Sequence, residues 1–121
     1  MIQARNIDFT TFGNEWGKTT SDVTVTTSLT TLVSLNLTVS GTYMLIGRTR
    51  IFQSKNEGGQ YDISVGGISN SNVITSNGWA DSLEGMSYIT ITEPTTVDFK
   101  IRVSSGTATA NNAFFCAIRI G

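Results

Sequence analysis

Apolar and polar residues alternate with a period of two along most of the chain. In TLVSLNLTVSG, Val33, Leu35, Leu37 and Val39 share one side while Ser34, Asn36 and Thr38 share the other, the pattern of a strand buried on one face. SDVTVTT alternates through Val23 and Val25. GTYMLIGRTRIFQ begins apolar on both faces at Tyr43–Ile46, then turns one-sided where Arg48 and Arg50 alternate with Thr49 and Ile51. QYDISVGG, GMSYITITEP, TTVDFKIRVSS and NNAFFCAIRIG read as further strands, and ARNIDFTTF as a weaker one. Helical spacing fits none of these segments as well.

Turn chemistry separates them: Ser40-Gly41, KNEGGQ at 55–60, TEPTT at 92–96 and SSGTATANN at 104–112. Turn signals spaced by about 8–12 residues predict an antiparallel sandwich or barrel, not βαβ units. Two stretches are too long for tight turns, 10–20 and 66–85, the second interrupted by a short strand at Val73 and Ile74. With no internal repeat and no linker, residues 1–121 read as one domain, with 1–20 as an N-terminal arm and first-strand region.

The last strand departs from simple alternation. Ala113, Phe115 and Ala117 face one way and Phe114, Cys116 and Ile118 the other, so both faces are apolar. A strand in a solitary two-layer sandwich keeps one wet face; two dry faces need two things to pack against. One is the opposite sheet. The other is a loop, the N-terminal arm or a neighbouring subunit, and subunit contact is the favoured expectation.

Composition narrows the chemistry. Charged residues make up 14% of the 121 and the formal net charge is −1, so no long-range field draws the chain to nucleic acid or to an anionic membrane. There is no histidine, which removes the base from Ser-His-Asp and Cys-His catalysis and the imidazole from zinc sites. The single Cys116 closes no intrachain disulfide and reads as an inert core residue. No apolar run reaches membrane-spanning length, and MIQARNIDFTTFG lacks the features of a signal peptide. The NLT triplet at 36–38 then reads as a chance match to the glycosylation pattern.

TTLVSLNLTVSGTYMLIGRTRIF, followed later by TVDFKIRVSSGTATANNAFFCAIRIG, resembles the jelly roll of the C1q and tumour-necrosis-factor superfamily, especially its small versions among phage virion proteins. An alternating strand, a Gly41-Thr42-Tyr43 corner leading into a long strand, and a final strand that ends the chain carry the likeness, over about 50 residues. Residues 55–92 match none of it. The resemblance implies an all-β, antiparallel two-sheet jelly-roll sandwich of roughly ten strands, trimerising about an axis lined by inner-sheet strands, with the C-terminal strand central in that sheet. Joined to the missing catalytic groups and a chain that begins at Met1 without a stalk, it predicts a non-enzymatic virion structural protein. That protein is a homotrimeric phage capsid decoration or cement protein, folded in the host cytoplasm and displayed on the virion surface against the major capsid protein or another virion protein. The alternative is the receptor-binding, glycan-binding tip of a tail or head fibre, with a host surface glycan as ligand.

On this reading Tyr43, Leu45, Phe99, Phe114, Phe115 and Ile118 form the oligomer seam, and Ile2, Ile7, Phe9 and Phe12 dock the arm on the capsid. Trp79, Asp81, Arg48 and Arg50 are candidate ligand contacts. Trp16 and Trp79 stand in loop-like surroundings, where a tryptophan either anchors a partner or folds back on its own core. Arg48 and Arg50, Lys100 and Arg102, and Arg119 would merge into a basic patch if their strands were neighbours; otherwise they are a solvated face. Asp62, Asp81, Glu57 and Glu84 are the only acidic residues placed to cluster, without the loop motif of a calcium site. Surface charge is the plainer account of them. No metal or cofactor is expected.

Overall fold

The computed structural model describes residues 12–53, 59–74 and 78–121, and of residues 73, 74 and 78–82 the backbone alone. Nine strands lie among the described residues: β1 (Glu15–Thr19), β2 (Val23–Val25), β3 (Thr30–Leu37), β4 (Gly41–Gln53), β5 (Gly59–Val65), β6 (Ile68–Ile74), β7 (Gly78–Ile91), β8 (Thr95–Val103) and β9 (Ala108–Arg119). One sheet runs β1-β9-β4-β7, with β2 also paired to β9; the other runs β3-β8-β5-β6. All pairings are antiparallel.

The pairings β2 with β9, β3 with β8, β4 with β7 and β5 with β6 show how the chain is folded. It doubles back once, at the β5–β6 hairpin, and the resulting ribbon rolls so that successive pairs fall alternately in the two sheets. This is a jelly roll. The doubling point is the Gly66-Gly67 turn, whose φ values of 58° and 90° suit a two-residue hairpin of the primed type, where both central residues need positive φ. The turn is pinned by a hydrogen bond from Gly66 N to the carbonyl of Asp98, 2.9 Å.

Inward positions of both sheets form one core. Tyr43, Leu45 and Ile51 from β4 and Phe115 and Ala117 from β9 meet Leu35, Leu37, Ile63, Val65, Phe99 and Ile101. Phe99 and Phe115 pack with ring centroids 5.9 Å apart at 42°, a tilted aromatic pair. Small residues let this happen: Gly17, Phe115, Gly47 and Gly85 stand in one row across the first sheet. A Cβ on Gly47 would lie 2.7 Å from Phe99 Cδ1, and one on Gly85 2.7 Å from Val65 Cγ2.

Several expectations need correction. The stretch 66–85 is mostly strand, holding β6 and the first half of β7, and Glu15–Thr19 within the supposed loop 10–20 is β1. Trp16 and Trp79 therefore stand on strands. Val39 falls beyond the end of β3 and is exposed, while a register shift between Thr31 and Val33 turns Leu32 as well as Val33 into the core. The weaker strand proposed over ARNIDFTTF lies outside the described residues except for Phe12.

Adding one methyl group at Gly47 should overpack the sheet interface. Gly47→Ala is expected to lose about 1–3 kcal/mol of stability, read as a lower urea midpoint, and Gly47→Ala/Phe99→Leu to recover part of it. An unchanged midpoint for the single variant would show that the sheets have slack at this row.

Candidate functional site: the outer face of the five-stranded sheet

Outward positions of β1, β9, β4 and β7 make a surface unlike the rest of the molecule. Register places Trp16, Cys116, Ile46 and Met86 in one row; Lys18, Phe114, Arg48 and Glu84 in the next; and Ile118, Met44 and Tyr88 in a third. Trp16 is 51% exposed, Phe114 37%, Met86 49% and Tyr88 57%. At roughly 200 Å² per large side chain, these four alone offer on the order of 400 Å² of largely apolar surface. Trp16 stacks on Phe114, centroids 6.1 Å apart and planes at 29°, the diagonal contact expected between neighbouring strands. Thr42 and Thr90, joined through their hydroxyls at 2.9 Å, bound the face at one end.

Between Leu83 and Ile91, which are buried in the core, part of β7 carries small residues inward and large ones outward. Its inward positions include Gly85 and Ser87, whose hydroxyl donates to the carbonyl of Val65 at 2.6 Å, while Met86 and Tyr88 point outward. β4 does the same where inward Gly47 and Thr49 alternate with outward Ile46 and Arg48.

The face is not flat. β4 loses register with β9 between Arg48 and Arg50, opposite Asn112, which has φ of 52°, and with β7 between Thr49 and Ile51. Such bulges bend a strand and re-aim its side chains. Beside them lies a hollow of about 550 Å³ lined by Ile46, Arg48, Glu84, Asn112, Phe114 and Cys116. A second of about 440 Å³, reached past Glu84, is lined by Ile46, Asn70, Gly85 and Met86. Cys116, on the floor of the first, is 8% exposed. Burial pushes its thiol above the usual range, against a smaller opposing effect of the Ile46 backbone hydrogen bond.

The proposed seam divides. Tyr43, Leu45, Phe99 and Phe115 are fully buried between the chain's own sheets and cannot meet another subunit; the inward face of β9 is dried from within. Phe114 and Ile118 lie on the outer face instead. Trp16, Met44, Ile46, Met86 and Tyr88 were missed as its companions. The basic patch does not form. Arg48 and Arg50 belong to the five-stranded sheet, whereas Lys100 and Arg102 lie on β8 in the other. There Arg102 holds Asp62 with Nη2 at 2.8 Å, and Lys100 lies 3.9 Å from Asp98. Hydrogen bonds from Ser71 and Arg102 hold the Asp62 carboxyl below its usual range. Arg119 donates through Nε to the carbonyl of Ser40 at 3.0 Å. Among the described residues no three acidic or cysteine side chains gather as a metal site would need. Phe12 is exposed; Ile2, Ile7, Phe9, Glu57 and the side chains of Trp79 and Asp81 lie outside the described residues.

No protein-family model matches the chain, and no curated protein sequence does. Solved structures do. The VP2 subviral particle of infectious bursal disease virus aligns with a TM-score of 0.53 at 15% identity, over 88% of this chain and 33% of that one. T=1 particles derived from the same virus give 0.49 at 15% identity, over 88% and 32%. The C-terminal CBM6 of LamC, a marine laminarinase from Zobellia galactanivorans, gives 0.38 at 15%, over 84% and 89%. The chain spans about a third of the length of the viral structures, and at this identity the likeness is one of fold: a two-sheet β-sandwich shared with a viral capsid protein.

Cys116 offers a direct check of how firmly β9 is held. At pH 7.5 it should react with a thiol-disulfide reagent more than about tenfold slower than an ordinary thiol, accelerating as the pH is raised and reaching completion in denaturant. Rapid labelling of the native chain would mean that the hollow admits reagent to its floor.

Proposed function

We propose that the chain is a non-enzymatic structural protein of a virion, a homotrimeric phage capsid decoration or cement protein that sits on the particle exterior and assembles through the outer face of its five-stranded sheet. The observation that carries this is the outer face of that sheet, where Trp16, Phe114, Met86 and Tyr88 stand exposed. A contiguous apolar patch of this size matches the largest one on a typical monomer, about 300–600 Å², and such patches often mark interaction surfaces. The area is also of the right order, since a standard interface takes about 800 Å² from each partner, somewhat over half of it apolar. The VP2 protein named above forms a subviral particle, and its shared fold supports a capsid setting for this one. β9 lies centrally in the sheet concerned, between β1 and β4, as the superfamily resemblance implies for a trimer axis. In this reading the N-terminal arm, through Ile2, Ile7, Phe9 and Phe12, reaches the major capsid protein or another virion protein. Folding takes place in the host cytoplasm, and neither membrane, nucleic acid, metal nor cofactor takes part.

A glycan-binding tip is the second reading. Phe52, 39% exposed beside Arg50, stands on β4 in backbone register with Trp79, and an exposed aromatic ring of that kind is a platform for a sugar ring. Glycan-array binding lost in Phe52→Ala would favour it.

Two neighbouring phenylalanines separate assembly from folding. Phe114→Asp is expected to give a folded chain with the light-scattering mass of a monomer. Phe115→Asp should unfold it, because an unpaired charge buried in the core costs several kcal/mol. The virion role is checked by mass spectrometry and antibody labelling of purified particles and by deleting residues 1–12, which should abolish attachment and spare the oligomer. A wild-type chain that stays monomeric, or that is missing from particles, overturns the proposal.

A further inference from the structure

The apolar face carries three charges with no partner among the described residues, Lys18 at its β1 edge and, nearer its middle, Arg48 and Glu84. Arg48 on β4 and Glu84 on β7 are register partners and both are exposed, yet neither has an ion pair or hydrogen bond with any described residue. The contrast with the other sheet is plain: there Asp62 is bound to Arg102 and Ser71, and Asp98 to Ser34 and Lys100. Arg48 and Glu84 both line the hollow floored by Ile46, Phe114 and Cys116, and Glu84 also borders the adjoining one. Covering this face with an uncharged apolar surface would strip water from both ions and leave them only each other, without the further hydrogen bonds that a buried pair needs. A cover that presents a carboxylate to Arg48 and a cation to Glu84 avoids that cost.

A second copy of the same face presents both. We infer that copies of this chain associate through the outer face of the five-stranded sheet with Arg48 of one copy paired to Glu84 of another, the apolar rows packing around the pair. The inference rests on the assembly reading above and adds its register: the apolar rows supply the area, and the two charges select how one copy lies on the next. Charged groups serve this purpose at interfaces because juxtaposed like charges exclude the wrong alignments. The two breaks in register at Arg48–Ile51 set the pair beside a hollow with room for side chains of the neighbour.

Charge exchange tests it. Arg48→Glu and Glu84→Arg should each weaken association by at least about tenfold, seen as a shift to monomer in sedimentation velocity, with circular dichroism unchanged. The double variant Arg48→Glu/Glu84→Arg should reassemble with itself. Mixed with isotopically labelled wild type, it should form no mixed oligomers in native mass spectrometry, because every cross-copy contact would then join like charges. Glu84→Gln, which removes charge at nearly constant shape, covers the case of a reversal that misfolds; it should weaken association and flatten its dependence on salt. Single reversals that leave the mass unchanged, or a double variant that mixes freely with wild type, overturn the pairing while leaving the assembly reading intact. A wild-type chain that is monomeric throughout overturns both.

Discussion

The closeness of the two sheets at one row governs much else in this molecule. Gly17, Gly47 and Gly85 flank Phe115 across the five-stranded sheet, and Val33, Phe99, Ile63 and Val65 of the opposite sheet press against the places where their side chains would be. Sandwich cores are filled by interdigitating inward side chains, and here the second sheet supplies most of the bulk while the first contributes backbone. Phe99 can then reach Phe115 across the interface. The arrangement has a consequence for the rest of the first sheet. At this row the inward positions of β4 and β7 must be glycine, while Leu45 and Leu83 fill the core beside it and Ile46 and Met86 stand outside.

That coupling explains which parts of the fold were legible in sequence. Strands with large inward residues announced themselves: β3 through Val33, Leu35 and Leu37, β8 through Val97, Phe99, Ile101 and Val103. The two-sided apolar character of β9 was also visible, and its inward side packs on the opposite sheet while Phe114 on the other side is exposed. β6 was obscured because ISNSNVI lies at a sheet edge, where Asn70 and Asn72 occupy positions that a central strand would give to apolar residues. β7 was half hidden for a similar reason: GMSYITITEP alternates and reads as a strand, whereas the preceding GWADSLE carries Gly, Asp and Ser and reads as loop.

The site was less legible than the fold because period two fixes relative sides and leaves open which side is the core. Phe99, Phe115, Tyr43 and Leu45 looked like seam residues, yet they are the centre of the sandwich. Trp16, Ile46, Met86 and Tyr88 come together only through pairing across β1, β9, β4 and β7, contacts between segments far apart in the chain. Doubly apolar YMLI at 43–46 was the available signal: a second apolar side on β4 matched to the one on β9 defines a sheet with two apolar faces. The basic residues misled in the same way. Spacing along a strand was read correctly, but the assignment of β4 and β8 to different sheets separated Arg48 and Arg50 from Lys100 and Arg102.

The two outer faces of the sandwich then make different demands on the surroundings. On the four-stranded sheet, side chains are tied to one another: Ser34 to Asp98, Thr96 to Asn36, Ser71 and Arg102 to Asp62. Water can cover that surface without leaving any of these groups short of a partner. On the five-stranded sheet, aromatic and thioether groups surround Lys18, Arg48 and Glu84, charges that have no partner among the described residues. Water satisfies the charges but not the apolar rows; a lipid or an uncharged protein surface satisfies the rows but not the charges. A self-complementary surface satisfies both at once, and it does so with a single sequence, since the same fold that expels Met86 and Tyr88 from the core places Arg48 and Glu84 side by side among them.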